Sequence, residues 1–273
     1  MKKQVVLITG ASSGIGFATA GMLAERGYKV YGAARRVEKV AELEPKGVVP
    51  LKMDVTDDLS VETAVKGILE QEGRIDILVN NAGYGSFGAI ETVPIEEARK
   101  QLEVNVLALA RLTRLVLPKM RENHCGRIIN ISSIAGLMTV PFGGWYNVSK
   151  YSVEAFSDAL RMELHPFGIK VCIIEPGGIK TDWGVIAADH LTESTMGTSY
   201  EKEAGKEAAI LRRGYASNLL SSPGKVARTI VQAATSRRPK LRYRVGTASH
   251  AATVFHAIIP ARWWDALTRR FFF

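Results

Sequence analysis

Tyr146 and Lys150 stand four residues apart in the stretch Trp145–Tyr146–Asn147–Val148–Ser149–Lys150, with Ser133 thirteen positions upstream of the tyrosine. On a helix beginning near Tyr146, that spacing puts the phenol and the ammonium on one face. A phenol with a pKa of about 10 is a poor acid or base at neutrality. An ammonium a few ångströms away favours the phenolate by about one to three pKa units, each worth about 1.4 kcal/mol. Such a pair makes a proton donor usable near neutral pH, and a serine hydroxyl beside it can hydrogen-bond a substrate oxygen. Alone, a tyrosine and a lysine at this spacing are equally what a solvated helix face presents. The rest of the chain has to supply what the chemistry needs.

A glycine-rich turn follows the first apolar run. Val5–Val6–Leu7–Ile8 is short and uniformly apolar, as a parallel strand buried on both faces requires. Thr9-Gly10-Ala11-Ser12-Ser13-Gly14-Ile15-Gly16 then opens an amphipathic helix running to about Arg26. Without Cβ atoms at Gly10, Gly14 and Gly16, the backbone can turn tightly and let a pyrophosphate approach the helix N-terminus. The spacing is G-x-x-x-G-x-G, not the common G-x-G-x-x-G. An acid taking the adenosine ribose 2′-OH belongs at the end of the second strand. That place holds Ala34, followed by Arg35 and Arg36. Arginine accommodates a 2′-phosphate through paired donors, so Arg35 favours NADP(H) over NAD(H), with added hydroxyl contacts from Ser12 and Ser13. The other reading of Arg35 and Arg36 is solvated loop charge.

The 273 residues, 47% of them hydrophobic, are enough for one large α/β core. No apolar run reaches the roughly 18–20 residues of a membrane span. Met1–Lys2–Lys3 precedes an apolar run that stops at Thr9–Gly10, too short for a signal-peptide core and followed by no cleavage site, which points to the cytoplasm. Cys125 and Cys172 make neither a disulfide framework nor a zinc site, and His124, His165 and His190 form no metal constellation. The net charge of +9 is spread along the second half without a nucleic-acid-binding module, so it points to a phosphate-bearing cofactor and an anionic surface near the C-terminus. Asp57 and Asp58 read as a helix cap and first-turn charge.

Strand and helix alternate along the chain. Strands are expected at 28–33, 48–53, 76–80, 127–132, 169–175 and 241–245, and helices at 56–72, 146–165 and 223–236. A long helix covers about 94–123, kinked or broken at Pro118. The pattern is that of a parallel sheet covered on both faces by helices, forming one domain over 1–273. It lapses over about 178–222, a polar and irregular stretch with short helical pieces, as a lid would be. An amphipathic extension occupies about 247–273.

With these residues laid out, the chain resembles the short-chain dehydrogenase/reductase family from about Val5 to Arg244, which implies a Rossmann-like, doubly wound parallel sheet of about seven strands in three α/β/α layers. Thr9–Gly16, Asp54 after the third strand, Asn80-Asn81-Ala82-Gly83 after the fourth, Asn105, Ser133, Tyr146, Lys150 and Pro176-Gly177 stand in the family's order. The resemblance implies that Tyr146 exchanges a proton with a carbonyl or alcohol oxygen that Ser133 also binds. It implies that Lys150 binds the nicotinamide ribose and lowers the Tyr146 pKa, while Asn105 holds a water of a proton relay behind Lys150. By the same resemblance Asp54 and Val55 flank the adenine, and Asn81, Ala82 and Gly83 line the cofactor groove. Pro176, Gly177, Ile179 and Thr181 face the nicotinamide, the last two through its carboxamide. Satisfying buried backbone groups is the other reading of Asn81 and Asn105.

The apolar set Trp183, Val185, Ile186, Leu191, Met196 and Tyr200, joined by Leu137, Met138, Val140, Pro141 and Phe142, suits a small lipophilic ketone or secondary alcohol. The Tyr31–Arg36 stretch and the C-terminal extension are similar to the 17β-hydroxysteroid and retinol dehydrogenase branch, which implies a steroid- or retinoid-like substrate. In the extension, Ile258, Ile259, Trp263, Trp264, Leu267 and Phe271–Phe273 either pack on the lid or a neighbouring subunit, or lie with Arg262, Arg269 and Arg270 in a membrane interface. The family's use of the 94–123 and 146–165 helices implies a homodimer or homotetramer. Two other readings compete: a sugar-nucleotide epimerase or dehydratase, and an NADP-binding sensor or scaffold without turnover. The first lacks its larger C-terminal domain here, and the second has no use for the full set Asn105, Ser133, Tyr146 and Lys150.

Overall fold

The first apolar run becomes β1 (Val5–Thr9), buried at all five positions and paired on both edges. A computed structural model describes residues 3–217, 219–247 and 249–272. Met1, Lys2 and Phe273 lie outside them, as do the side chains of Phe271 and Phe272. The remaining strands are β2 (Lys29–Ala34), β3 (Val48–Lys52), β4 (Ile77–Asn80), β5 (Gly126–Ile131), β6 (Ile169–Pro176) and β7 (Arg242–Val245). All pair in parallel, in the order β3-β2-β1-β4-β5-β6-β7. The helices are α1 (Gly14–Glu25), α2 (Val37–Ala41), α3 (Asp58–Glu72), α4 (Ile95–Leu102), α5 (Ala108–Glu122), α6 (Gly144–Leu164), α7 (Trp183–Thr195), α8 (Glu201–Ala216), α9 (Pro223–Thr235), α10 (Ser249–Ile258) and α11 (Ala261–Phe272).

Side chains alternate across a strand, so β1 feeds both layers. Val6 and Ile8 pack with Ala20 and Leu23 of α1, Val40 of α2 and Val226 and Ile230 of α9. Val5 and Leu7 pack on the other face with Val61, Val65 and Ile68 of α3, Leu112 and Val116 of α5 and Leu160 of α6. Full burial of one such side chain contributes about 1.5–3 kcal/mol. Asp57 caps α3 as its sequence position predicts, accepting the Leu59 N–H at 3.1 Å.

Two expectations need correction. The 94–123 stretch is two α-helices joined by one π-helical turn, Glu103–Leu107, and Pro118 lies on the exposed side inside α5 without ending it. The 178–222 stretch is dominated by α7 and α8, not by irregular chain. Its polar composition conceals stripes of small residues: Gly184, Ala187 and Ala188 are buried on α7 beside Leu191, and Ala204 and Ala208 on α8. The two helices approach so closely that a Cβ on Gly184 would lie 2.1 Å from the Tyr215 ring. In the extension, the Trp264 indole N–H donates to the Thr139 carbonyl at 3.3 Å, while Phe255, Ile258 and Trp263 are exposed. Among the described residues, no helix is long and apolar enough to cross a membrane.

Candidate active site

The chain winds outward from β1 to β3 and then restarts at β4 on the other side of β1, so the C-terminal ends of β1 and β4 open a crevice. The glycine turn closes its floor. Gly10 has φ +66°, and a Cβ on Gly16 would stand 2.3 Å from the Gly10 carbonyl oxygen, so a side chain fits at neither. Asn81 Nδ2 donates to the carbonyls of Thr9 (2.9 Å) and Gly10 (3.2 Å), and Thr9 Oγ1 accepts the N–H groups of Asn81 and Ala82, each at 3.0 Å. The Asn81 carboxamide therefore shapes the turn, and only the backbone that follows, Ala82–Gly83, remains for lining a groove.

At the start of α1, Ser13 is extended and its side chain makes no capping bond, and the first turn carries no acid. Its free N–H groups and the helix dipole favour an external anion. A Cβ built on Gly14 would meet only Thr181, at 3.6 Å, which places Thr181 opposite the turn. Ile15 packs into the core beneath. Ser12 is half-buried and Ser13 exposed beside the turn. This donor set, uncapped and free of acidic side chains, fits a pyrophosphate.

Arg35 and Arg36 follow β2 and are exposed. Asp54, after β3, sits within the field of Arg35. Burial disfavours its charge, but the Thr56 N–H (3.0 Å), the Thr56 hydroxyl (2.8 Å) and Arg35 outweigh that and hold the carboxyl below its ordinary range. The Val55 carbonyl accepts Arg111 Nη1 at 3.0 Å, and the valine side chain rests on the core beneath α3 and α5.

Tyr146 lies in the first turn of α6 and Lys150 one turn on, 9% and 7% exposed. The Lys150 ammonium stands 5.8 Å from the phenol ring centroid and donates to the Ile131 carbonyl at 3.0 Å. The Ser133 hydroxyl faces the phenol closely enough to favour its ionised form, accepts the Ala135 N–H at 3.1 Å and donates to the Pro176 carbonyl at 3.4 Å. Burial pushes Tyr146 up to about 12, against the pull of Ser133. Burial lowers Lys150 to about 8, against the field of Glu154. Burial, not Lys150, thus sets the direction for Tyr146 in this structure, and the phenol is raised where the sequence predicts a lowering.

Asn105 sits in the π turn, but its carboxamide is spent: Oδ1 accepts the Tyr84 N–H (3.0 Å), and Nδ2 donates to Tyr84 O (2.9 Å) and Ser149 Oγ (3.0 Å). What the turn alters is the main chain, where the Ala108 N–H reaches back to Glu103 O. At the end of β6, Pro176 is buried and the Gly177 N–H donates to Val245 O at 2.8 Å. Ile179 is buried, its side chain packed in the apolar cluster that holds α1 and α9.

The phenol is enclosed by aromatic rings. The Trp183 and Phe87 centroids lie 5.1 and 5.9 Å from the Tyr146 ring, and Tyr215 lies 6.0 Å from Trp183. Phe142, Leu191, Val140 and Tyr200 belong to the same cluster. Val185, Ile186 and Met196 do not, being 47%, 43% and 67% exposed, because on α7 Val185 falls opposite the Trp183–Ala187–Leu191 face and Ile186 on its flank. Among the described residues, no group of three His, Cys, Asp or Glu side chains is placed to hold a metal ion.

A family model described as short chain dehydrogenase matches residues 4–189. The chain belongs to the short-chain dehydrogenase/reductase family. It is 38% identical to a 3-ketodihydrosphingosine reductase of Bacteroides thetaiotaomicron over 248 residues, covering 90% of this chain and 89% of that one. The fold matches the crystal structure of a short-chain dehydrogenase from Streptomyces avermitilis with a TM-score of 0.81, at 32% identity and covering 98% and 96% of the two chains. It also matches a metagenomic short-chain oxidoreductase in complex with NADP, with a TM-score of 0.70 at 27% identity, over 89% of this chain and 96% of that one.

Within this short-chain dehydrogenase/reductase, several site-building residues carry no sequence signal. Asn147 Nδ2 ties the loop after Ser133 to α6 through the carbonyls of Ala135 (2.8 Å) and Met138 (2.9 Å). Phe87 reaches Tyr146, and Tyr215 reaches Trp183 above it, from a loop and a helix far apart in the chain. Such contacts follow from tertiary packing, and no local spacing announces them.

Proposed function

We propose that the chain is an NADP(H)-dependent oxidoreductase interconverting a ketone or aldehyde and an alcohol on a small lipophilic substrate. The observation that carries this is the convergence of the Tyr146 phenol and the Ser133 hydroxyl at the carboxyl end of the sheet, roofed by Trp183 and Phe87. NADP(H), when bound, is the source or sink of the hydride. Ser133 and Tyr146 bind the reacting oxygen, and donors already in place stabilise its developing charge. Tyr146 gives up or takes back the proton, and Lys150 binds ribose hydroxyls and keeps a positive charge beside the phenol. The π turn at Asn105 offers main-chain oxygens for a water behind Lys150.

Gly10, Gly14, Ile15 and Gly16 receive the pyrophosphate on backbone N–H groups, while Arg35, Ser12 and Ser13 take the 2′-phosphate. Asp54 and Val55 flank the adenine, with Asn81 fixing the turn and Ala82 and Gly83 lining the groove. Pro176, Gly177, the Ile179 main chain and Thr181 meet the nicotinamide. The complex of the metagenomic oxidoreductase with NADP supports this cofactor choice, and the name of the Bacteroides reductase supports a lipophilic ketone. Residues 178–222 act as the lid of a single domain. Exposed Leu107, Val148, Tyr151 and Met162 on the 94–123 and α6 segments suit a homodimer or homotetramer. In the cytoplasm, the exposed Phe255, Ile258 and Trp263 beside Arg262, Arg269 and Arg270 suit weak contact with an anionic membrane surface.

The test is equilibrium binding of NADPH and NADH to the protein and to Arg35→Ala. We expect at least tenfold preference for NADPH, lost in the variant. Equal affinities overturn the cofactor choice. Tight binding with no turnover of any apolar ketone favours a sensor or scaffold. Cosedimentation with anionic vesicles, lost after removal of residues beyond Ile258, checks the membrane contact; no cosedimentation rules it out.

A further inference from the structure

The face of α6 that carries Tyr146 and Lys150 continues one turn on to Glu154, which is 6% exposed. Its Oε2 lies 3.2 Å from Arg242 Nε on β7. That arginine also reaches Asp158 Oδ2 at 2.6 Å and Glu175 Oε1 at 3.2 Å. Glu175, on β6, is fully buried and pairs through Oε2 with Arg244 Nε at 2.9 Å, and Asp158 pairs with Arg161 at 2.7 Å. Gly136 lets the Ser133 turn close over this group: a Cβ there would lie 2.9 Å from the Lys150 carbonyl and 3.0 Å from Glu154 Cγ.

Two buried carboxylates sharing one arginine directly behind the site are a costly way to hold a sheet edge, where an apolar pair serves as well. Their placement has a different consequence for Lys150. That ammonium is buried, its direct bond is to a neutral carbonyl, and the charged group that favours its protonated form is Glu154. Glu154 is itself pushed toward its neutral form by burial and by Glu175, and is drawn back by the Ser132 hydroxyl and Arg242.

We propose that Glu154 is a positioning residue for the Tyr146–Lys150 pair, placing behind Lys150 a negative charge that Arg242 sustains and that keeps the buried ammonium protonated. The titratable and charged groups facing this path are Tyr146, Asp158 and Arg161 on α6, Glu175 on β6, and Arg242 and Arg244 on β7. Arg242 thereby acts on the site from β7 without touching it. The proposal rests on the catalytic reading of Lys150, but its test does not.

Lysine side chains labelled with 13C at Cε are titrated by NMR in the intact protein, the Lys150 signal being assigned by its absence in Lys150→Met. Glu154→Gln is expected to lower the Lys150 midpoint by about one unit or more. Arg242→Gln lowers it in the same direction, and Arg242→Lys restores it. With an active ketone, the alkaline limb of kcat/KM moves down by the same amount. A folded Glu154→Gln with an unmoved Lys150 midpoint makes the cluster purely structural and overturns the proposal. If Glu154→Gln does not fold, Arg242→Gln decides in the same way. Absence of turnover with a shifted midpoint counts against the enzymatic reading, not against the role of Glu154.

Discussion

Replacing Gly16 by alanine adds one methyl group where the fold has none to spare. The new Cβ would stand 2.3 Å from the Gly10 carbonyl oxygen and 2.5 Å from Asn81 Nδ2. Reaching ordinary contact at 3.4 Å requires the turn to open by about 1 Å. That movement breaks the Asn81 bonds to Thr9 O and Gly10 O, at about 0.5–1.5 kcal/mol each. Overpacking adds about 1–3 kcal/mol, and the helical gain of alanine over glycine returns up to about 1 kcal/mol. A net loss of about 3 kcal/mol in urea unfolding is the expected result. The same displacement misaligns the N–H groups of the α1 terminus, and losing about 3 kcal/mol of charge-assisted bonding weakens NADPH binding about a hundredfold. Gly67→Ala is the control, since nothing lies within 4 Å of its Cβ on the exposed side of α3. It is expected to stabilise by about 0.5–1 kcal/mol without touching nucleotide affinity. A Gly16→Ala protein of wild-type stability and NADPH affinity would refute both the packing argument and the placement of the phosphates.

Other expectations follow from the same geometry. Tyr146→Phe keeps the ring in its aromatic surroundings and removes the proton, so kcat falls by about 10²–10⁴ while NADPH affinity measured by titration stays unchanged. Trp183→Ala opens the roof over Tyr146 and is expected to cost about 3–5 kcal/mol in unfolding and to raise KM for apolar ketones more than for small polar ones. Burial raises the Glu207 carboxyl from 4.5 to about 7, and its Oε2 has no partner. A raised acid destabilises the fold only when ionised, so the cost is absent below about pH 4.5, grows up to about pH 7 and is constant above it. It amounts to about 3 kcal/mol, and Glu207→Gln is expected to remove that slope and raise Tm at pH 8 relative to pH 5. A variant with an unchanged pH dependence would place Glu207 in contact with a compensating group.

Much of this is legible in the sequence alone, for physical reasons. Strands buried on both faces must be continuous apolar runs, so Val5–Ile8 and Ile128–Ile129 announce themselves. The turn chemistry of Gly10–Gly16 and the helical spacing of Tyr146 and Lys150 are equally local. The α7–α8 pair escaped because its contacts are made by Gly184, Ala187, Ala204 and Ala208, which carry little hydrophobic signal among Thr, Ser and Glu. The π turn at Asn105 escaped because one extra residue in a helix leaves the apolar period almost unchanged. Burial was the largest omission. The sequence places Lys150 beside Tyr146 but not the Ile131 carbonyl that accepts its hydrogen bond, nor the loss of water that pushes Tyr146 up to about 12. Glu154, Glu175 and Arg242 meet only when β6 and β7 pair, so three ordinary charged residues conceal a buried cluster.

Hydride transfer itself is the central claim, and isotope transfer tests it most directly. NADPH deuterated at the transferring nicotinamide carbon, in each of its two stereoisomers, is incubated in single turnover with a long-chain ketone. The product alcohol is then analysed by mass spectrometry. Deuterium is expected on the carbinol carbon from one of the two stereoisomers, and none with Tyr146→Phe over the same interval. Tight NADPH binding without label in any alcohol, across ketones of graded chain length, would contradict it and leave a nucleotide-binding protein that does not catalyse reduction.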